Sequence, residues 1–130
     1  IVEHIEPHLG SAAPCFLYDY PAQCASLARK KQGNPAIAER FELYIDGIEL
    51  ANGFSELTDS VEQRSRFIDE MNRTDGEAAG CHTKMPERFL EDLELLDQAA
   101  GIAMGLDRLL MLIMSAGSID EVVAFSPDDW

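Results

Sequence analysis

The residues best suited to chemistry stand in one run, Gly101-Ile102-Ala103-Met104-Gly105-Leu106-Asp107-Arg108-Leu109-Leu110, followed by an apolar stretch through Met114. Small residues at alternate positions 101, 103 and 105 predict a strand against which a flat ligand can lie, because larger side chains would fill the ligand's volume. The strand is expected to feed a buried helix, with Arg108 at the junction. A guanidinium is permanently charged and forks two hydrogen bonds at an anion, so Arg108 could meet a ligand's phosphates. Read as packing alone, the run is a core strand and helix with an Asp107–Arg108 pair at the helix start, favourable to the helix dipole.

Carboxylates form the second candidate set. Glu49 and Glu56 are seven residues apart, an odd separation that sends them to opposite faces of a regular strand. Gly53, beside Asn52, is a natural place for a bulge, which inserts one residue, restores parity and tends to lie beside active sites. With the bulge the two carboxylates could share a metal or ligand; an unbroken strand with diverging carboxylates would rule that out. His4 and His8 are four apart, but Pro7 interrupts any helix and no Cys or carboxylate pattern completes a zinc site. Cys81 beside His82 lacks a third partner for nucleophilic chemistry.

The elements that must position these residues are legible in part. Asp46-Gly47 lies between Phe41–Ile45 and Ile48–Leu50, a strong two-residue hairpin signal that implies antiparallel pairing. In that register Phe41, Leu43, Ile45, Ile48 and Leu50 share one face, while Glu42, Tyr44 and Glu49 share a polar face open to a site. Residues 10–14 read as a loop, Cys15 to Tyr20 as a strand ended by Pro21, and Ala22 to Lys31 as a short helix. Asp59 with Glu62 predicts a capped helix through about Asn72, with Val61, Phe67, Ile68 and Met71 on its apolar face. Residues 73–83 read as a mobile surface loop. Pro86 opens a helix bearing Phe89, Leu90, Leu93 and Leu96, Ser118 with Glu121 caps a last short helix carrying Val122, Val123 and Phe125, and residues 128–130 fray. Hairpin strands interleaved with helices indicate an α+β fold, an antiparallel sheet flanked by helices.

Composition bounds the function. The 130 residues, 46% hydrophobic, suit one globular domain with a real core. No stretch approaches the roughly 20 apolar residues of a membrane span and no leader pattern opens the chain, so a cytoplasmic protein without membrane association is expected. Cys15, Cys24 and Cys81 are odd in number and read as ordinary reduced thiols. A net charge of −14 disfavours a surface that grips nucleic acid, which needs clustered Lys and Arg. A basic protein is the more natural partner.

The run 101–110 resembles motif 3 of the class II aminoacyl-tRNA synthetases. Glu39-Arg40-Phe41-Glu42-Leu43 and Glu49-Leu50-Ala51-Asn52-Gly53-Phe54-Ser55-Glu56-Leu57 resemble core strands of the lysyl branch. The similarity runs from Val2-Glu3-His4-Ile5 onward, and within the branch it is greatest to the truncated paralogues that lysylate elongation factor P. Ala103, where lysyl-tRNA synthetases resemble Gly, and Pro21-Ala22-Gln23-Cys24, where they carry Ser-Pro-Leu nearby, point to those paralogues. A methyl group is worth about 1–3 kcal/mol of discrimination, enough to shift preference from α-lysine toward β-lysine.

The resemblance implies an antiparallel class II catalytic domain that activates lysine or β-lysine with ATP and Mg²⁺ and transfers it to a lysine side chain of elongation factor P. It implies that Arg108 meets the terminal phosphate, that the nucleoside packs over Gly105, and that Glu49 holds Mg²⁺ against the phosphates. Glu49 and Arg108 are thus the expected catalytic pair. Glu56 is expected to contact metal or the substrate's side-chain ammonium, Asn52 the substrate carboxylate, Phe54 the aliphatic stem and Ala103 the pocket floor. The family's Gly-x-Pro-Pro turn before motif 3 is replaced by Leu95-Leu96-Asp97-Gln98-Ala99-Ala100. Motif 1, which builds the family's homodimer, and motif 2, whose arginine grips the α-phosphate, have no match here. The chain opens at Ile1 without an initiator Met, so a C-terminal piece of a longer protein, inactive alone, is expected. The competing readings are a lysyl-tRNA synthetase fragment that charges tRNA, and a non-catalytic binding module.

Overall fold

Asp46 and Gly47 turn the chain with φ of 51° and 76°, the paired positive angles whose twist matches that of two adjoining strands. A side chain at Gly47 would begin 2.8 Å from the Pro7 carbonyl oxygen, so this turn admits no bulk. The computed structural model describes residues 3–74 and 84–125. It contains strands β1 (Cys15–Pro21), β2 (Lys30–Lys31), β3 (Asn34–Ile45), β4 (Ile48–Ser55) and β5 (Ala100–Met104). Its helices are α1 (Ser60–Thr74), α2 (Glu87–Leu93) and α3 (Leu106–Met114). The strands form one antiparallel sheet in the order β1-β3-β4-β5, with β2 paired to β3, which is the α+β class expected. The chain divides into two compact units, one made of Ile1–Tyr20, Arg40–Gly53 and Ile102–Trp130, the other of Pro21–Glu39 and Phe54–Gly101.

In the first unit the hairpin faces are used differently from expectation. Glu42 and Tyr44, assigned to an open polar face, are only 4% and 1% exposed, while Phe41, Leu43 and Ile45 are half-buried. The inversion is possible because Glu42 is fully partnered. Tyr44 donates to its Oε2 at 2.6 Å, Tyr20 donates to the same oxygen, and Arg40 pairs with Oε1. The Arg40 guanidinium also lies 4.7 Å from the centroid of the Tyr20 ring, a cation–π arrangement.

β5 and α3 meet as anticipated, with Gly105 as the N-cap and Ser115 closing the helix in the left-handed conformation. The expectation that α3 is buried is corrected. None of its residues is buried, and Leu106, Ile113 and Met114 are 71%, 71% and 60% exposed. Its one-sided apolar spacing is real, but it packs on the short 3-10 turn Ile119–Glu121, and no other described residue covers its outer stripe. That turn carries the predicted capping box, in which Glu121 Oε1 accepts from the Ser118 N–H at 3.0 Å. The turn ends before Val122, so the helix expected there is a single turn.

In the second unit the helix expected over 22–31 is also corrected. Only Ala22–Cys24 form a 3-10 turn; Ser26 is left-handed at φ 52°, and the backbone then pairs with distant residues. The Arg29 N–H donates to the Ser55 carbonyl at 2.9 Å, the Leu57 N–H to the Leu27 carbonyl at 3.0 Å, and Ala28 bridges Glu56. Ala25, Ala28 and Ala38 form a small core against which Phe54 packs.

Asp59 caps α1 through Oδ1, accepting from Val61 and Glu62 at 2.9 and 3.0 Å. Glu62 does not complete the box. It accepts from Lys30 at 2.9 Å and from Arg66 at 2.7 Å instead, which together hold its carboxyl below the usual range. The buried residue of α1 is Gln63, 1% exposed, whereas Val61 and Ile68 stand at 78% and 44%. α2 is shorter than expected, with Pro86 as N-cap and Leu90 and Leu93 buried. α1 extends through Arg73 and Thr74, and the rest of the loop expected over 73–83, with Cys81, His82 and the tail 128–130, lies outside the described residues. Among the described residues no helix is long and apolar enough to cross a membrane.

Candidate active site

The first unit brings most of the expected site residues into one cleft. The Gly105 N–H donates to the Leu50 carbonyl at 2.9 Å, which ties the end of β5 to β4 and sets the start of α3 beside Glu49. Arg108 turns back from the first turn of α3, donates through Nη1 to the Glu49 carbonyl at 2.6 Å, and lies 3.6 Å from Glu49 Oε2. Its stem covers Gly105, with Cδ 3.4 Å from the point where a side chain at 105 would begin. A cavity of about 350 Å³ is lined by Glu49, Asn52, Ala103, Gly105, Asp107 and Arg108, within the size range of small-molecule sites.

One buried atom in this cleft is unsatisfied. Asn52 Oδ1 is enclosed and has no hydrogen-bond partner among the described residues. A buried acceptor left unpaired costs about 1–3 kcal/mol. Asp107 lies in the first turn of α3, where its charge suits the helix dipole, and makes no cap bond. Arg108 and Glu49 are 48% and 35% exposed along their side chains, so their ion pair is accessible and exchangeable for a ligand anion.

Phe54 and Glu56 belong to the second unit. Phe54 packs on the alanine core. The Glu56 N–H donates to the Ala99 carbonyl at 2.9 Å, and its carboxylate lies over Gly101. β4 runs without interruption from Ile48 to Ser55, with Leu50, Ala51 and Gly53 buried. Among the described residues no group of three or more His, Cys, Asp or Glu side chains gathers around a possible metal position. His4 stands exposed beside Glu3, and among the described residues neither Cys15 nor Cys24 is in a disulfide.

Two features escaped the sequence reading. The Glu42 network was hidden because a Glu alternating with aromatic residues reads as a solvated face. Burial alone would raise the Glu42 pKa, but the hydrogen bonds from Tyr20 and Tyr44 and the charge of Arg40 outweigh it and hold the carboxyl below its ordinary range. Burial and the same carboxylate push both tyrosine hydroxyls far up, so they remain donors. The second is a groove of about 700 Å³ between residues 22–30 and α1, lined by Lys30, Glu62, Gln63 and Arg66 among others. No local spacing signals it, because its two walls come from separate segments.

Comparison with known proteins supplies the family. Residues 5–129 match the family described as tRNA synthetases class II (D, K and N). The chain is 46% identical over 125 residues, 95% of its length, to a protein of Edwardsiella ictaluri named elongation factor P--(R)-beta-lysine ligase, and spans 38% of that protein. Proteins of the same name from Proteus mirabilis and Buchnera aphidicola are 46% and 41% identical, and the chain again spans 38% of each. A match over nearly all of the described sheet and helices, together with the Gly105–Arg108 junction, leads to one conclusion: the chain belongs to the class II tRNA synthetase family of the D, K and N group.

Proposed function

We propose that this chain forms the C-terminal part of the catalytic domain of a cytoplasmic, ATP-dependent ligase that joins lysine or (R)-β-lysine to a lysine side chain of elongation factor P. The observation that carries the reading is the cleft lined together by Arg108, Glu49 and Asn52, with Arg108 bonded to the Glu49 backbone and close to its carboxylate. The choice of amino acid and acceptor follows the names of the relatives, and Ala103, lining that cleft, supports β-lysine over α-lysine.

In such a reaction a carboxylate oxygen bonds to the α-phosphorus of ATP as the bond to pyrophosphate breaks; an acceptor amine then bonds to the carbonyl carbon and AMP leaves. Charge is spread over phosphate oxygens throughout, so the protein's work is positioning and electrostatics. Arg108 is the cation for the terminal phosphate, released from Glu49 when an anion takes its place. Gly105, which carries no side chain beside the Arg108 stem, is assigned to the nucleoside. Glu49 is the hard oxygen donor suited to Mg²⁺, which takes one or two carboxylates together with substrate phosphates rather than a cage of protein ligands, and which when bound neutralises phosphate charge.

Asn52 is suited to the amino acid. Its amide NH₂ is a donor, the group suited to the substrate carboxylate. Glu56 is assigned to the side-chain ammonium and Phe54 to the aliphatic stem.

The test is ATP–pyrophosphate exchange by the full-length protein carrying this sequence, with α-lysine and (R)-β-lysine compared, followed by acyl transfer to elongation factor P or to tRNA. Exchange favouring β-lysine and acylation of elongation factor P are expected. Preference for α-lysine with tRNA charging would make the protein a tRNA synthetase, and no exchange with either would leave a binding module.

A further inference from the structure

Gly101 has no backbone reason to be glycine. Among the described residues the glycines with positive φ are 10, 33 and 47, and Gly101 is an ordinary strand residue of β5. Nor does it give way to close packing in general. Among the described residues, a Cβ built at position 101 meets one neighbour within 4 Å: the Glu56 carboxylate, with Oε1 at 2.8 Å and Cδ at 4.0 Å. The space that the missing side chain leaves is occupied by that carboxylate.

Glu56 is held so that its side chain is the part free to move. Its N–H is bonded to Ala99, its backbone bridges Ala28, the Leu57 N–H bonds to Leu27, and the Ser55 carbonyl accepts from Arg29. With the main chain tied on both sides of Glu56, a methyl group at 101 is met at least cost by movement of the Glu56 side chain rather than of that backbone. It would drive the carboxylate away by roughly half an ångström or more, to reach ordinary contact distance. The far end of a Glu side chain moves at little cost to the fold, so the change should fall on where the charge sits.

We propose that Gly101 is a positioning residue for amino-acid selection: its bare backbone sets the place of the Glu56 carboxylate, and so the distance at which a side-chain ammonium is recognised. The proposal rests on the reading of Glu56 as the ammonium partner, and the experiment separates the two. In the full-length protein carrying this sequence, Glu56→Gln, Gly101→Ala and the double variant are compared by ATP–pyrophosphate exchange, with KM for the lysine-type substrate, KM for ATP and kcat read separately.

Glu56→Gln is expected to raise the amino-acid KM about 10- to 100-fold, the range for losing a charge-assisted hydrogen bond. Gly101→Ala should raise the same KM about tenfold, because a misplacement near an ångström is costly, with the ATP KM and the melting temperature unmoved. In the Glu56→Gln background the alanine should add almost nothing. If Glu56→Gln leaves the amino-acid KM unchanged, the ammonium assignment fails. If Glu56→Gln acts but Gly101→Ala does not, the positioning role alone is refuted. It is refuted equally if Gly101→Ala raises both KM values, or if its effect multiplies fully with that of Glu56→Gln, since either result marks a general distortion of β5.

Discussion

Removing the Tyr44 hydroxyl, as Tyr44→Phe, tests whether the buried Glu42 network stabilises the first unit or merely occupies it. The hydroxyl donates to Glu42 Oε2 at 2.6 Å, and Tyr44 is 1% exposed, so no water replaces the lost donor. A hydrogen bond to a charged group contributes about 1.5–3 kcal/mol. Glu42 keeps Tyr20 and Arg40 as partners, which places the expected loss at the lower end, about 1.5–2 kcal/mol by the same scale. The effect must also depend on pH. The Glu42 pKa is depressed in the folded state, so its contribution is fully present above the unfolded value near 4.3 and is lost as pH falls through the folded value. Because Tyr44 helps depress that pKa, the gap between wild type and Tyr44→Phe is widest at neutral pH and narrows on acidification. Urea unfolding of the full-length protein at pH 7 and at steps down to about pH 2, well below the ordinary carboxylate range, with a double-mutant cycle against Glu42→Gln, measures both quantities. A loss below about 0.5 kcal/mol at pH 7, under the range for a neutral hydrogen bond, would refute the reasoning. So would a loss that stays constant as Glu42 is protonated.

Two further outcomes follow from the cleft and from α3. Arg108→Lys keeps the charge but loses the planar fork that reaches Glu49 and that the proposed function assigns to a phosphate; pyrophosphate exchange should fall about 10²-fold, the scale for losing one preorganised charge contact, and recovery to near wild type would show that a point charge suffices. The 130-residue chain produced by itself should self-associate through Leu106, Ile113 and Met114 on α3 and Ile102 and Met104 on β5, all 48% exposed or more; light scattering should report oligomers, reduced by Ile113→Glu, and a monomeric wild-type chain would contradict this.

Local chemistry decided what could be read in advance. The Asp46-Gly47 turn, the Asp59 cap of α1, the Ser118–Glu121 box and the passage from β5 through Gly105 into α3 depend on contacts within a few residues of each other, and each forms where the spacing placed it. The α+β class follows from those elements, and the gathering of Glu49, Asn52, Ala103, Gly105 and Arg108 follows from β4 and β5 being neighbours in the sheet. What could not be read depends on partners far along the chain. Residues 25–31 have a composition that suits a helix, yet their amides and carbonyls are claimed by Ser55 and Leu57. Glu42 would be solvated by itself and is buried because Tyr20, 22 positions earlier, brings a hydroxyl to it. α3 carries an apolar stripe, but a stripe specifies only that a cover is favourable and not whether one is present within the same chain. Sequence thus determined the pieces whose hydrogen bonds close locally, while tertiary structure decided which polar groups could afford burial, because that depends on donors and acceptors that only the folded chain brings together.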